Sequence, residues 1–179
     1  MTTIRVQAGV RSQLFLGVDV TIKSMLTGGA LAIAVSFAGA AQAQSYIPDW
    51  GIADMRQAVV AAGATVTRED NGKDPYIAAK TAEGLKFTIS GRVCEGADGA
   101  KRCKGALLQT SFTMDSDAEV DTAVKKWAPQ YAAIAVSNDG SKGLLLSRYL
   151  IFDYGVHRDN LRLNVQVFTG IAESIWNDL

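Results

Sequence analysis

Two runs of alternating polar and apolar residues, LKFTISGRVC and CKGALLQTSFTM, flank the eight residues EGADGAKR, which include two glycines. A period of two marks a half-buried β-strand, and the glycines suit a chain reversal, so the stretch predicts an antiparallel hairpin. In the first run Leu85, Phe87, Ile89 and Val93 share one face, with Lys86, Thr88, Ser90, Arg92 and Cys94 on the other. In the second, Leu108, Phe112 and Met114 share one parity, opposite Cys103, Gln109, Ser111 and Thr113. Whatever else the chain forms must complete a sheet with one apolar and one polar face.

Cys94 and Cys103 close this hairpin and are the two cysteines of the chain. A thiol redox centre uses C-x-x-C, and a structural zinc site needs about four Cys or His ligands. The wider spacing and the single histidine argue against both, so neither a metal nor a cofactor is expected. Residues facing each other at a hairpin mouth bring their Cβ atoms close enough to bridge. A Cys94–Cys103 disulfide is therefore expected, on the solvent side because both residues fall on the polar parity. Closing a loop of about ten residues stabilises by roughly 2.7 kcal/mol in the chain-entropy account.

A disulfide needs an oxidising compartment, and the N-terminal region points to one. MLTGGALAIAVSFAGA, from Met25 to Ala40, is short of the ~20 apolar residues that span a bilayer, follows Lys23 and precedes Ala41-Gln42-Ala43. This reads as a secretory signal peptide over 1–43, cleaved after Ala43, rather than as a retained anchor or a buried helix. The leader before Lys23 is long for such a segment, which a true start at Val18, Val20 or Met25 would explain. Cleavage removes three basic residues and one acidic residue from eighteen of each, leaving a net charge of about −2 on 44–179. With no polybasic tail, neither nucleic acid nor an anionic membrane is the expected partner.

The remainder of 44–179 reads as one domain. IADMRQAVVAAG places Ile52, Met55, Val59 and Ala62 at helical spacing and ends on Gly63, a residue suited to a helix C-terminus. ATVTRED and YIAAKT are strands about the turn NGKDP. SDAEVDTAVKKWAPQY carries the S-x-x-E capping pattern at Ser116 and Glu119, an apolar face of Val120, Ala123, Val124, Trp127 and Tyr131, and a terminator at Pro129. AAIAVS and GLLLSRYLIF are strands across NDGSKG. Leu161, Val165, Phe168, Ile171 or Ala172, and Ile175 mark a long final helix. The order α-ββββ-α-ββ-α predicts an α+β fold, an antiparallel sheet with packed helices.

From about Asp54 to Trp176 the chain resembles the YbjN family, described as putative bacterial sensory transduction regulators. The likeness is carried by LKFTISGRVC, LLQTSF, VKKWAPQYAAIAV and, most of all, LSRYLIFDYGVHRDNL. The resemblance implies a fold similar to that of type III secretion chaperones, proteins that bind other proteins and catalyse nothing. It therefore implies a non-catalytic protein with a protein partner, in a chaperone-like or regulatory role, while the signal segment makes a periplasmic or secreted location the expectation. A homodimer is compatible with this.

The strongest polar grouping is Arg148, Asp153, His157, Arg158 and Asp159, at the turn into the last helix. A histidine beside carboxylates can act as a general base, giving a competing expectation of a periplasmic enzyme or small-ligand receptor using Arg148, Asp153 and His157. The favoured expectation is structural: His157 stands where an N-cap belongs, and Asp159 falls in the first turn, where a negative charge suits the helix dipole. Ser147 lacks a G-x-S-x-G elbow, and Asp70, Asn71 and Asp74 lack the spacing of a calcium loop. KRCK around Cys103 reads as an exposed hairpin tip, and Trp50 as an anchor for the segment preceding the first helix.

Overall fold

The computed structural model of the chain describes residues 46–179, and the expected signal segment lies outside them. Helix α1 (Ile52–Ala61) starts where the Gly51 N–H donates to Asp54 Oδ2 at 3.0 Å. Gly63, at φ 91°, then turns the chain away in a conformation that costs glycine nothing. Strands β2 (Thr65–Asp70), β3 (Tyr76–Lys80), β4 (Lys86–Glu95) and β5 (Arg102–Thr113) follow. Helix α2 (Asp117–Trp127) is opened by Ser116 Oγ, which accepts the Glu119 N–H at 3.3 Å. Strands β6 (Ala135–Asn138) and β7 (Gly143–Ile151) lead to α3 (Arg158–Trp176).

The fold is α+β, as the residue pattern predicts, with a six-stranded antiparallel sheet ordered β2-β3-β4-β5-β7-β6. Two further strands of two residues each, β1 (Tyr46–Ile47) and β8 (Val156–His157), pair in a separate small sheet. They escape a periodicity reading because two residues carry no period.

Register gathers the apolar parities onto one face. Ile77 pairs with Ile89 and Ile89 with Leu108, while Ala79 pairs with Phe87 and Leu146 with Val136. These side chains are buried and form one core with Met55 and Val59 of α1, Val120 and Trp127 of α2, and Leu161, Val165 and Phe168 of α3. Phe87 and Phe168 meet at 6.3 Å between ring centroids, tilted by 59°. All three helices thus cover the same side of the sheet, and the other parity, apart from Cys103, Gly105 and Gly143, stays half-buried or exposed. Among the described residues no helix is long and apolar enough to cross a membrane.

Two expectations fail at the hairpin. Val93 does not join Leu85, Phe87 and Ile89 in the core but is 66% exposed, and Cys103 is not solvent-facing but fully buried. Parity assumes an unbroken pleat, and Val93 breaks it with φ at 52°, a conformation a β-branched residue rarely adopts. The segment before α1 then covers the other strand, where Trp50 pairs with Cys103 as an isolated bridge.

Candidate functional site

Most of the candidate polar residues fall in three regions: the disulfide corner, the turn into α3, and the open face of the sheet.

At the corner, Cys94 and Cys103 face each other across β4 and β5 with Cα atoms 4.0 Å apart and are bonded to each other. A Cβ on Gly91 would lie 2.6 Å from Cys103 Sγ and 2.7 Å from Cys94 Sγ, so only glycine leaves room for the bridge. Trp50, fully buried, exchanges both backbone hydrogen bonds with Cys103, and its indole N–H donates to the Gly105 carbonyl at 2.8 Å. This is the anchor expected of Trp50.

Arg102, on an exposed tip as expected, is also a tie. Its guanidinium meets Asp49 at 2.7 Å and Asp54 at 2.9 Å and also donates to the Asp49 carbonyl. Burial works to lower its pKa, but the hydrogen bond to Asp49 and the charges of Asp54 and Asp49 outweigh it and hold the pKa above the usual arginine value. Asp54, only 12% exposed at its side chain, also accepts Arg158 at 3.0 Å. Sequence reasoning missed this Asp49–Arg102–Asp54–Arg158 chain because its members are scattered from residue 49 to residue 158. No local spacing signals it.

At the turn into α3 the five candidate residues separate into different tasks. His157 is the N-cap, its Nδ1 accepting the Asp159 N–H at 3.2 Å. Arg158 turns to Asp54 and to Gln57 Oε1 at 2.8 Å. Arg148 donates from Nε to Asn164 Oδ1 at 2.9 Å and from Nη1 to the Ala133 carbonyl, stitching β7 to α3 and to the loop before β6. Asp153 is exposed in the turn after β7. The cavity that Arg148 lines, with Ser147, Tyr149 and residues 132–135, is lined by neither Asp153 nor His157.

Elsewhere, Asp70 Oδ1 accepts the Gly72 N–H and Asn71 Nδ2 donates to the Gly99 carbonyl, so this turn is spent on its own backbone and on the neighbouring hairpin. Among the described residues no three His, Cys, Asp or Glu side chains are grouped to hold a metal.

The open face is the remaining region. A concavity of about 650 Å³ is lined by residues of β2 to β5 and β7, most of them on the outward parity. Lys80 and Lys86 flank it, Thr88, Gln109 and Ser111 contribute polar groups, and Ala78 and Leu145 give apolar ones. Sequence parity already placed Lys86, Thr88, Gln109 and Ser111 on this face. It could not show that the face curves.

Compared with known proteins, the chain matches no family model, no curated protein and no solved structure.

Proposed function

We propose that this chain is an exported, non-catalytic YbjN-like protein that acts by binding another protein, in a chaperone-like or regulatory role. The observation that carries the reading is the one-sided sheet: six strands buried by three helices on one face, with the other face concave and uncovered among the described residues. A broad sheet face with apolar side chains among polar ones suits a macromolecular partner. The Cys94–Cys103 bridge supports export, since such bonds persist in oxidising compartments.

The rival reading, a periplasmic enzyme or small-ligand receptor built on Arg148, Asp153 and His157, is less well supported. Arg148 is committed to Asn164 and Ala133, and His157 to the start of α3.

Affinity capture with the exported, disulfide-bonded protein from an extract of exported proteins tests the reading. One or a few proteins should co-purify in stoichiometric amounts and bind again when isolated. Repeated capture of nothing above a disulfide-reduced, unfolded control would overturn it.

A further inference from the structure

We propose that the open face docks an extended acidic segment of the partner protein, with a carboxylate seated between Lys80 and Lys86. This rests on the protein-binding reading and gives that surface a chemistry. Lys80 and Lys86 are direct cross-strand partners at the ends of β3 and β4, on the outward parity, and both are exposed. Like charges directly opposite one another in a sheet destabilise it. Among the described residues neither ammonium has a carboxylate within ion-pair distance.

The surroundings extend the same complementarity. Among the described residues no carboxylate lines the concavity, while Thr88, Ser111 and Gln109 offer hydroxyl and amide donors to an anion. Further along β7, Tyr149 and Ile151 share the outward parity of Leu145 and are 49% and 66% exposed. A segment with acidic residues and neighbouring apolar ones would satisfy both ends of this surface.

The shape selects a polypeptide over a small organic anion. Pockets for small ligands bury roughly 70–90% of the ligand surface. Among the described residues every lining residue comes from or beside one sheet, which gives the concavity a floor and no roof. A bound small molecule would keep its outer side wet, whereas a protein segment brings its own cover.

The test uses the exported protein with its disulfide intact and a fluorescein-labelled octapeptide of alternating Glu and Leu, with Gln-Leu and Lys-Leu octapeptides alongside. The acidic peptide is expected to bind, to weaken with added salt, and to lose about tenfold in affinity in the K80Q/K86Q variant, whose melting temperature reports that it still folds. Equal binding of the three peptides, or acidic-peptide binding unchanged in the variant, would overturn the proposal.

Parallel capture from the exported-protein extract separates the two levels. A partner held equally by wild type and variant leaves the protein-binding reading standing and removes this face from it. No partner and no peptide binding removes both. A dimer in sedimentation velocity that K80Q/K86Q dissociates would assign the face to a second copy, and binding to phosphatidylglycerol vesicles in place of peptide would assign it to lipid. Either result overturns the acidic-segment proposal.

Discussion

The disulfide corner and the open face share strands β4 and β5, yet they use polar groups in opposite ways. At the corner, Cys94 is bonded to Cys103, Trp50 hydrogen-bonds through backbone and indole, and Asp54 takes up Gly51, Arg102 and Arg158. At the other end of β4, Lys86 meets Lys80 across the strand with no counter-charge among the described residues. Charged groups at the corner are paired within the fold, while Lys80 and Lys86 on the face have no carboxylate partner among the described residues. That difference, more than any motif, separates structural chemistry from chemistry left available to a partner.

The comparison breaks if the corner proves dispensable. Trp50→Ala removes a fully buried indole and leaves the Gly105 carbonyl without its donor, so a loss of about 4 kcal/mol is expected in urea unfolding. A loss under about 1 kcal/mol would mean that residues 46–50 do not hold the corner. Cys94→Ala with Cys103→Ala should lose about 3 kcal/mol, chiefly through the freed loop. Two reactive thiols in the protein isolated from its own cells would show that the bridge does not form there.

Gly91→Ala sharpens the same point. Its new methyl would collide with both sulfurs, and a loss of about 2 kcal/mol is expected from overpacking. In the C94A/C103A background the sulfurs are gone and most of that loss should vanish, which a double-mutant cycle measures. Equal losses in both backgrounds would place the strain elsewhere. His157→Ala asks on which side of the comparison the polar turn belongs. Loss of the N-cap should cost about 1 kcal/mol, recovered in large part by His157→Asn, with partner binding unchanged. A stably folded His157→Ala protein that no longer binds would move the turn to the functional side.

Much of this was legible before any coordinates. The six main strands and three helices follow from period-two and period-3.6 patterns, and Ser116, Gly63 and His157 mark helix ends through local capping chemistry. The errors share one cause, since each depends on geometry that is not periodic. Val93 at φ 52° interrupts the alternation of β4, and the covering of Cys103 comes from Trp50, 53 residues earlier. The Asp54 hub and the curvature of the open face are likewise products of tertiary packing. Parity could nominate Lys86 for the face, but opposing it with Lys80 required the register of β3 against β4.

The smallest expected effect is the most telling about the face. If Lys80 and Lys86 serve only the fold, exchanging Lys86 for Glu should be neutral or destabilising, as for most surface changes. Their register says otherwise, because Lys86→Glu turns a like-charge pair into an opposite-charge one, and such cross-strand pairs contribute roughly 0.2–1 kcal/mol. A gain of about 0.5 kcal/mol at low ionic strength is expected, fading as salt shortens the Debye length below the separation of the exposed charges. The same substitution should abolish binding of the Glu-Leu octapeptide, so stability and binding move in opposite directions. A Lys86→Glu protein that is less stable at low salt, or that still binds the acidic peptide, would place Lys86 with the corner's structural charges and erase the contrast between the two regions.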